Sequence, residues 1–182
     1  MRLILVTGGA RGGKSRYAAE RARHLGGDAV TFVATATGDD EEMRLRIARH
    51  RSERPAVWTT IEASSQAGMA VRTAQTDVVL LDCVTMLTAN ALASPGPSDE
   101  ATAVARMLTE ADDVLDAARR RSGTLLLVTN EVGFGVHPRT ALGRWFQNGL
   151  GQVNQRLAAS AHEVVLMVSG LPLVVKLEAA VQ

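Results

Sequence analysis

The chain has 182 residues, 46% of them hydrophobic and 21% charged, an ordinary globular mixture long enough for one domain with a sizeable core. Its formal net charge is +1, so nothing global draws it to nucleic acid or an anionic membrane. The single cysteine, Cys83, excludes an intramolecular disulfide framework and a multi-cysteine metal site.

In chain order, residues 2–7 (Arg-Leu-Ile-Leu-Val-Thr) are an apolar run suited to a buried strand. Gly8-Gly9-Ala10-Arg11-Gly12-Gly13-Lys14-Ser15 follows and matches the phosphate-loop pattern G-x-x-x-x-G-K-[ST] in full. Residues 14–25 are rich in helix formers and stop at Gly26 and Gly27. Strand, glycine loop and helix is the setting this motif requires. Its glycines let backbone N–H groups converge on one anion at a helix N-terminus. Lys14 then reaches the terminal phosphates, and the Ser15 hydroxyl is placed to ligate Mg²⁺. A nucleoside triphosphate is the expected ligand.

Further strands are expected at 29–34, 57–61, 77–82, 124–129 and 163–169, and helices at 40–53, 64–74, 84–93, 99–121 and 139–160. Several strands are apolar throughout, as strands covered on both faces are. The fold class is therefore α/β, a doubly wound, mostly parallel sheet with helices on both faces, of the phosphate-loop NTPase (RecA-like) type. Residues 1–182 read as a single nucleotide-binding catalytic domain. The tail from Leu171 contains Leu-Val-Val-Lys-Leu-Glu, a candidate edge strand, and 93–98 (Ala-Ser-Pro-Gly-Pro-Ser) is a surface loop, with Ser98 at the start of the next helix. No apolar run approaches the ~20 residues that span a bilayer and no leader pattern precedes the first strand, so the expected location is the cytoplasm, without membrane insertion or nucleic-acid binding.

Ligands of such sheets bind at the carboxyl ends of the strands. The run 78–82 ends in Asp82, the acidic partner that holds Mg²⁺ beside a phosphate loop; an N-cap for the following helix is the other reading. The stretch 40–53 carries Arg44, Arg46, Arg49 and Arg51 around His50, with Arg54 just beyond. Met43, Ile47 and His50 fall at i, i+4, i+7 and share one face. Such a cluster suits a polyphosphate, and equally a solvated amphipathic helix with a half-buried histidine. Residues 129–138 (Thr-Asn-Glu-Val-Gly-Phe-Gly-Val-His-Pro) form either a loop shaped for close backbone approach or a plain connection with Pro138 at a helix start. His24 and His162 lie away from the ligand edge, and Trp58 and Trp145 read as core or interface.

The phosphate loop, Arg46-Ile-Ala-Arg-His-Arg51 leading to Arg54-Pro-Ala-Val-Trp58, Leu80-Leu-Asp-Cys83, Asn130-Glu-Val-Gly-Phe-Gly135 and Val153-Asn-Gln-Arg-Leu-Ala158 occur here in one order and spacing. In this the chain resembles the bifunctional adenosylcobinamide kinase/adenosylcobinamide-phosphate guanylyltransferases of cobalamin biosynthesis, over about residues 2–176. The resemblance implies two reactions. ATP or GTP phosphorylates adenosylcobinamide, and GTP then donates GMP to that phosphate through a covalent histidine–GMP intermediate, which maps onto His50. It implies nucleotide contacts by the phosphate loop, by Ala34, Thr35 and Ala36, by Arg51, Ser52, Glu53 and Arg54, and by Glu62 and Asp82, with Mg²⁺ at Ser15 and Asp82. It also implies a homotrimer. This chain has Gly12 where the family usually has Ser, and Val57 where it often has His. Another small-molecule kinase of the phosphate-loop type, or a nucleotide-dependent regulatory module, is the alternative.

Overall fold

A computed structural model describes residues 1–38, 41–52, 54–93 and 95–178, leaving aside the side chains of Glu42 and Arg46. Its elements are β1 (Arg2–Gly8), α1 (Lys14–Gly26), β2 (Val30–Ala34), α2 (Glu41–Ser52), β3 (Thr59–Glu62), α3 (Ala67–Thr73) and β4 (Val78–Asp82). Then come α4 (Val84–Asn90), α5 (Glu100–Arg119), β5 (Thr124–Val128), α6 (Ala141–Ser160), β6 (Glu163–Val168) and β7 (Leu171–Leu177). The expected strands and helices are all present.

The uniformly apolar runs become the centre of one seven-stranded sheet in the order β3-β2-β4-β5-β1-β6-β7. All neighbours pair parallel except β7, which runs antiparallel to β6. Successive side chains of β1 leave by opposite faces. Leu3 and Leu5 pack with Val71, Met107, Val114, Leu150, Val153 and Leu157 from α3, α5 and α6. Ile4 and Val6 pack with Ala18 and Ala22 of α1, and with Trp58. Helices thus cover both faces, which is why these strands show no polar alternation.

Element ends differ from expectation for local reasons. Ser98 does not cap α5; the Asp99 carboxylate accepts from Thr102 N at 2.8 Å, and Ser98 Oγ donates to Asp99 instead. Pro138 lies ahead of α6, whose N-cap is Thr140, accepting from Gly143 N at 3.1 Å. The third strand begins at Thr59 rather than at Val57, because Trp58 turns inward and donates from Nε1 to Gly27 O at 3.1 Å. The tail forms β7 at the sheet edge, and its Leu171, Leu173, Val174, Val175 and Leu177 are all exposed.

The register decides what meets at the ligand edge. Ala34 pairs with both Glu62 and Asp82, and Asp82 with Val128. Strand β5 also pairs with β1, Val128 with Val6. The ends of β2, β3, β4 and β5 therefore stand in a row, and the phosphate loop opens two residues beyond it.

Candidate active site

The loop is locked against the neighbouring strand by two glycines. Gly8 has φ 144° and a Cβ there would lie 2.5 Å from the Met167 carbonyl oxygen; Gly13 has φ 90° and faces the Gly170 backbone. No larger residue fits that approach or that conformation. Gly170 N donates to Gly12 O at 3.2 Å, and Glu131 N to Gly8 O at 3.0 Å, so turns after β6 and β5 hold the loop from both sides. Ala10 and Arg11 are exposed at its tip, while Lys14 is buried and donates from Nζ to Gly9 O at 2.6 Å.

Asp82, at the end of β4, shares a hydrogen bond with the Ser15 hydroxyl. Burial pushes its carboxyl above the usual carboxylate range, opposed by that bond and by the electrostatic influence of His50, Arg54 and Lys14. Asp82 does not cap α4, whose N-cap is Cys83 without a side-chain bond. A hydroxyl and a carboxylate side by side are hard oxygen donors that suit Mg²⁺, which normally completes its shell with water and phosphate oxygens. Among the described residues no cluster of three or more His, Cys, Asp or Glu could hold a metal alone.

The last turn of α2 brings His50 to this place. A cavity of about 760 Å³ is lined by Gly12, Gly13, Ser15, His50, Arg54 and Asp82, among others. A second, of about 370 Å³, holds Ala34, Ala36, Arg51 and Glu62. Both share Ser15, Phe32, His50, Arg54 and Asp82 as walls. Met43, Ile47 and His50, the shared face of α2, all line the smaller one. Arg54 stacks its guanidinium 3.5 Å from the centroid of the Phe32 ring, a cation–π contact. Burial lowers its affinity for the proton while Asp82 raises it, and its Nε is buried without a hydrogen-bond partner among the described residues.

The other sequence candidates separate here. Arg51 pairs with Glu62 at 2.5 Å on the open side of the smaller cavity. Thr35 is fully buried, its hydroxyl donating to Cys83 O at 2.7 Å and accepting from Cys83 N at 2.9 Å. It also accepts from Asn90 Nδ2 at its carbonyl, so it ties β2 to β4 rather than offering its hydroxyl to a ligand. Ser52 donates to Arg49 O and lines neither cavity. Glu53 lies outside the described residues. His162 accepts from Leu3 N at Nδ1, at the opposite end of the sheet. His24 is exposed on α1.

Trp58, read as core or interface, is buried and also lines the larger cavity, and several other wall residues were not singled out from sequence: Phe32, Gly170, and Arg16, Ala19 and Arg23 of α1. The spacing of the last three, i, i+3, i+7, marks one helix face and was the available signal. The loop after β5 is fixed at its root by a buried network. Thr129 Oγ1 donates to Asn154 Oδ1 at 2.8 Å, Asn154 Nδ2 to Asn130 O at 3.0 Å, and Asn130 N to Thr85 Oγ1 at 2.7 Å. Its tip residues Phe134 and Val136 are exposed.

A family model described as cobinamide kinase / cobinamide phosphate guanyltransferase matches residues 4–175. The chain is 41% identical to the bifunctional adenosylcobalamin biosynthesis protein CobU of Salmonella typhimurium, covering 96% of this chain and 99% of the relative. It is 39% identical to the protein of the same name from Escherichia coli, over the same shares. It is 36% identical to the bifunctional adenosylcobalamin biosynthesis protein CobP of Pseudomonas aeruginosa, over 94% and 96%. Among solved structures, an ATPase of the type III secretion system of pathogenic bacteria is similar with a TM-score of 0.57 at 12% identity, covering 92% of this chain and 51% of that one. That likeness concerns the fold alone.

Proposed function

Because this chain belongs to the cobinamide kinase / cobinamide phosphate guanyltransferase family, we propose that its kinase and guanylyltransferase reactions share one phosphate loop and that His50 carries the guanylyl group between them. One observation carries this: Ser15, His50, Arg54 and Asp82 are common walls of both cavities. A phosphate cradle and a nucleophile face the same space.

In the kinase reaction the triphosphate of ATP or GTP lies on the N–H groups of the loop from Gly8 to Ser15, with Lys14 at its outer phosphates. The hydroxyl of the aminopropanol arm of adenosylcobinamide attacks the γ-phosphorus in line with the leaving oxygen. In the transferase reaction GTP places its α-phosphorus at His50. The lone pair of the imidazole nitrogen forms the N–P bond, and pyrophosphate leaves onto the loop. Adenosylcobinamide phosphate then displaces the histidine, giving adenosyl-GDP-cobinamide. Ser15 and Asp82 would hold Mg²⁺, which would supply charge neutralisation for both transfers.

The smaller cavity takes the guanosine. Ala34 and Ala36 leave room there, Arg51 and Arg54 face phosphate, and the Glu62 carboxylate accepts from the N1–H and amino group of guanine. The family resemblance further supports a homotrimer, for which the exposed apolar strand β7 offers a surface. The cytoplasm, where nucleotides are abundant, fits a chain in which no described helix is long and apolar enough to cross a membrane.

Two variants test the scheme. Lys14→Ala is expected to lower both reactions at least ~100-fold, as loss of a phosphate-binding cation does. His50→Ala is expected to keep ATP-dependent phosphorylation of adenosylcobinamide and to lose GMP transfer. Near-normal GMP transfer by His50→Ala, or an unimpaired kinase in Lys14→Ala, contradicts it.

A further inference from the structure

We infer that the larger cavity, on the α1 side of His50, is the entry for the corrinoid acceptor, and that Arg16 and Arg23 bind it there. This rests on the two-step reading of His50 above. Two of the cavities lined by described residues reach the imidazole. The smaller contains Ala34, Ala36, Arg51 and Glu62, the groups assigned to guanosine, so while GMP is attached to His50 that side is filled.

The chemistry of the second step gives the direction of approach. In the first step the N–P bond forms as the bond from the α-phosphorus to the bridging oxygen breaks, and pyrophosphate departs with the electron pair. In the second, an oxygen of the acceptor phosphate forms the new P–O bond as the N–P bond breaks, its pair returning to the imidazole. An in-line displacement at phosphorus places entering and leaving groups on opposite sides. The acceptor must therefore come from the side by which pyrophosphate left, that of the phosphate loop. Gly12, Gly13 and Ser15 line the larger cavity, with Lys14 following Gly13 in the chain, so the acceptor phosphate takes the seat that pyrophosphate vacates.

Beyond that seat the cavity opens along α1. Arg16 and Arg23 are exposed on its rim, and the Arg16 guanidinium lies 3.8 Å from where a Cβ on Gly170 would be. Phe32, Pro55 and Trp58 also line the cavity, as do the charged Arg11 and Glu20. A cavity walled by guanidinium groups and by apolar side chains suits a ligand that is anionic at one end and carries amide-fringed apolar bulk behind it. A phosphorylated corrinoid arm has that form. In the kinase step the same arm brings its hydroxyl through the same opening.

The test uses the full chain with Arg16→Ala, Arg23→Ala and Arg23→Glu, exposed positions whose replacement leaves the core untouched. Three quantities are measured: covalent labelling of the protein by α-labelled GTP, KM for the nucleotides, and KM for adenosylcobinamide and its phosphate. The expected result is a rise of about tenfold or more in KM for adenosylcobinamide phosphate in Arg23→Glu, a rise for adenosylcobinamide in the same direction, and labelling by GTP at the wild-type rate. Pyrophosphate should compete with adenosylcobinamide phosphate for the labelled enzyme. Unchanged KM for both corrinoids overturns the assignment. So does a selective rise in KM for ATP, which makes this cavity the kinase donor's nucleoside site. Absence of label in the wild type overturns instead the reading of His50 on which the inference stands.

Discussion

The Asp82 carboxylate is the group on which position and charge are most opposed. Burial holds its pKa above the normal range, so the folded chain binds this proton more tightly than the unfolded chain. Stability from this group is present below the unfolded pKa and is lost as pH rises through the window up to the raised folded value. Above that window, with metal chelated by EDTA, the ionised carboxylate is destabilising. Asp82→Asn is therefore expected to raise the thermal midpoint under these conditions, while both transfers are lost. The gain should shrink as pH falls towards the ordinary carboxylate range. A midpoint lowered under these conditions contradicts the sign. Glu62 stands in a different balance: its ion pair with Arg51 joins two exposed side chains and contributes little to stability. On the proposed reading it exchanges that partner for a guanine edge. Glu62→Gln should raise KM for GTP in GMP transfer about tenfold, leave ATP-dependent phosphorylation unchanged, and not move the melting temperature. Equal loss in both reactions contradicts its role in reading the base.

At the scale of elements, the root of the loop after β5 is set by hydrogen bonds between buried groups. Removing the Asn154 side chain leaves Asn130 O without its partner and Thr129 Oγ1 with only its 3.5 Å contact to Thr85 Oγ1, a cost of about 1–3 kcal/mol. Asn154→Ala should lower the melting temperature by several degrees, and a change under one degree contradicts the accounting. Little of this network could be read from sequence, because it joins residues 85, 129, 130 and 154 across three elements. The phosphate loop was fully legible, since its glycines, Lys14 and Ser15 are contiguous and local backbone geometry dictates them. Helix α2 was legible in its face, Met43, Ile47 and His50, but not in its neighbours. Stacking of Arg54 on Phe32 and the inward turn of Trp58 depend on where separate segments meet. Thr35 shows the converse: a hydroxyl next to the loop in sequence is consumed in bonding Cys83.

For the whole molecule, uniformly apolar strands announced a sheet covered on both sides, and the alternation of Leu3 and Leu5 with Ile4 and Val6 between two cores shows why. Strand order was not legible, since no local pattern says that β5 stands between β1 and β4. That placement aligns Asp82 with Val128 and Val128 with Val6, and so brings the acidic residue to Ser15. The edge strand β7 leaves five apolar side chains in water, more than an edge strand normally tolerates. If copies of the chain cover it, Leu173→Glu with Val175→Glu should shift the sedimenting species from trimer to monomer. A wild type that sediments as a monomer contradicts the trimer.

In the proposed mechanism one imidazole near the phosphate loop takes up GMP. Its most direct measurement is incubation of the chain with α-labelled GTP and Mg²⁺, followed by acid and base treatment and mapping of the labelled peptide. The account predicts a label that is lost in acid, survives in base, maps to His50, and leaves the protein when adenosylcobinamide phosphate is added. A wild type that takes up no label, or a His50→Ala variant that labels equally well, contradicts it.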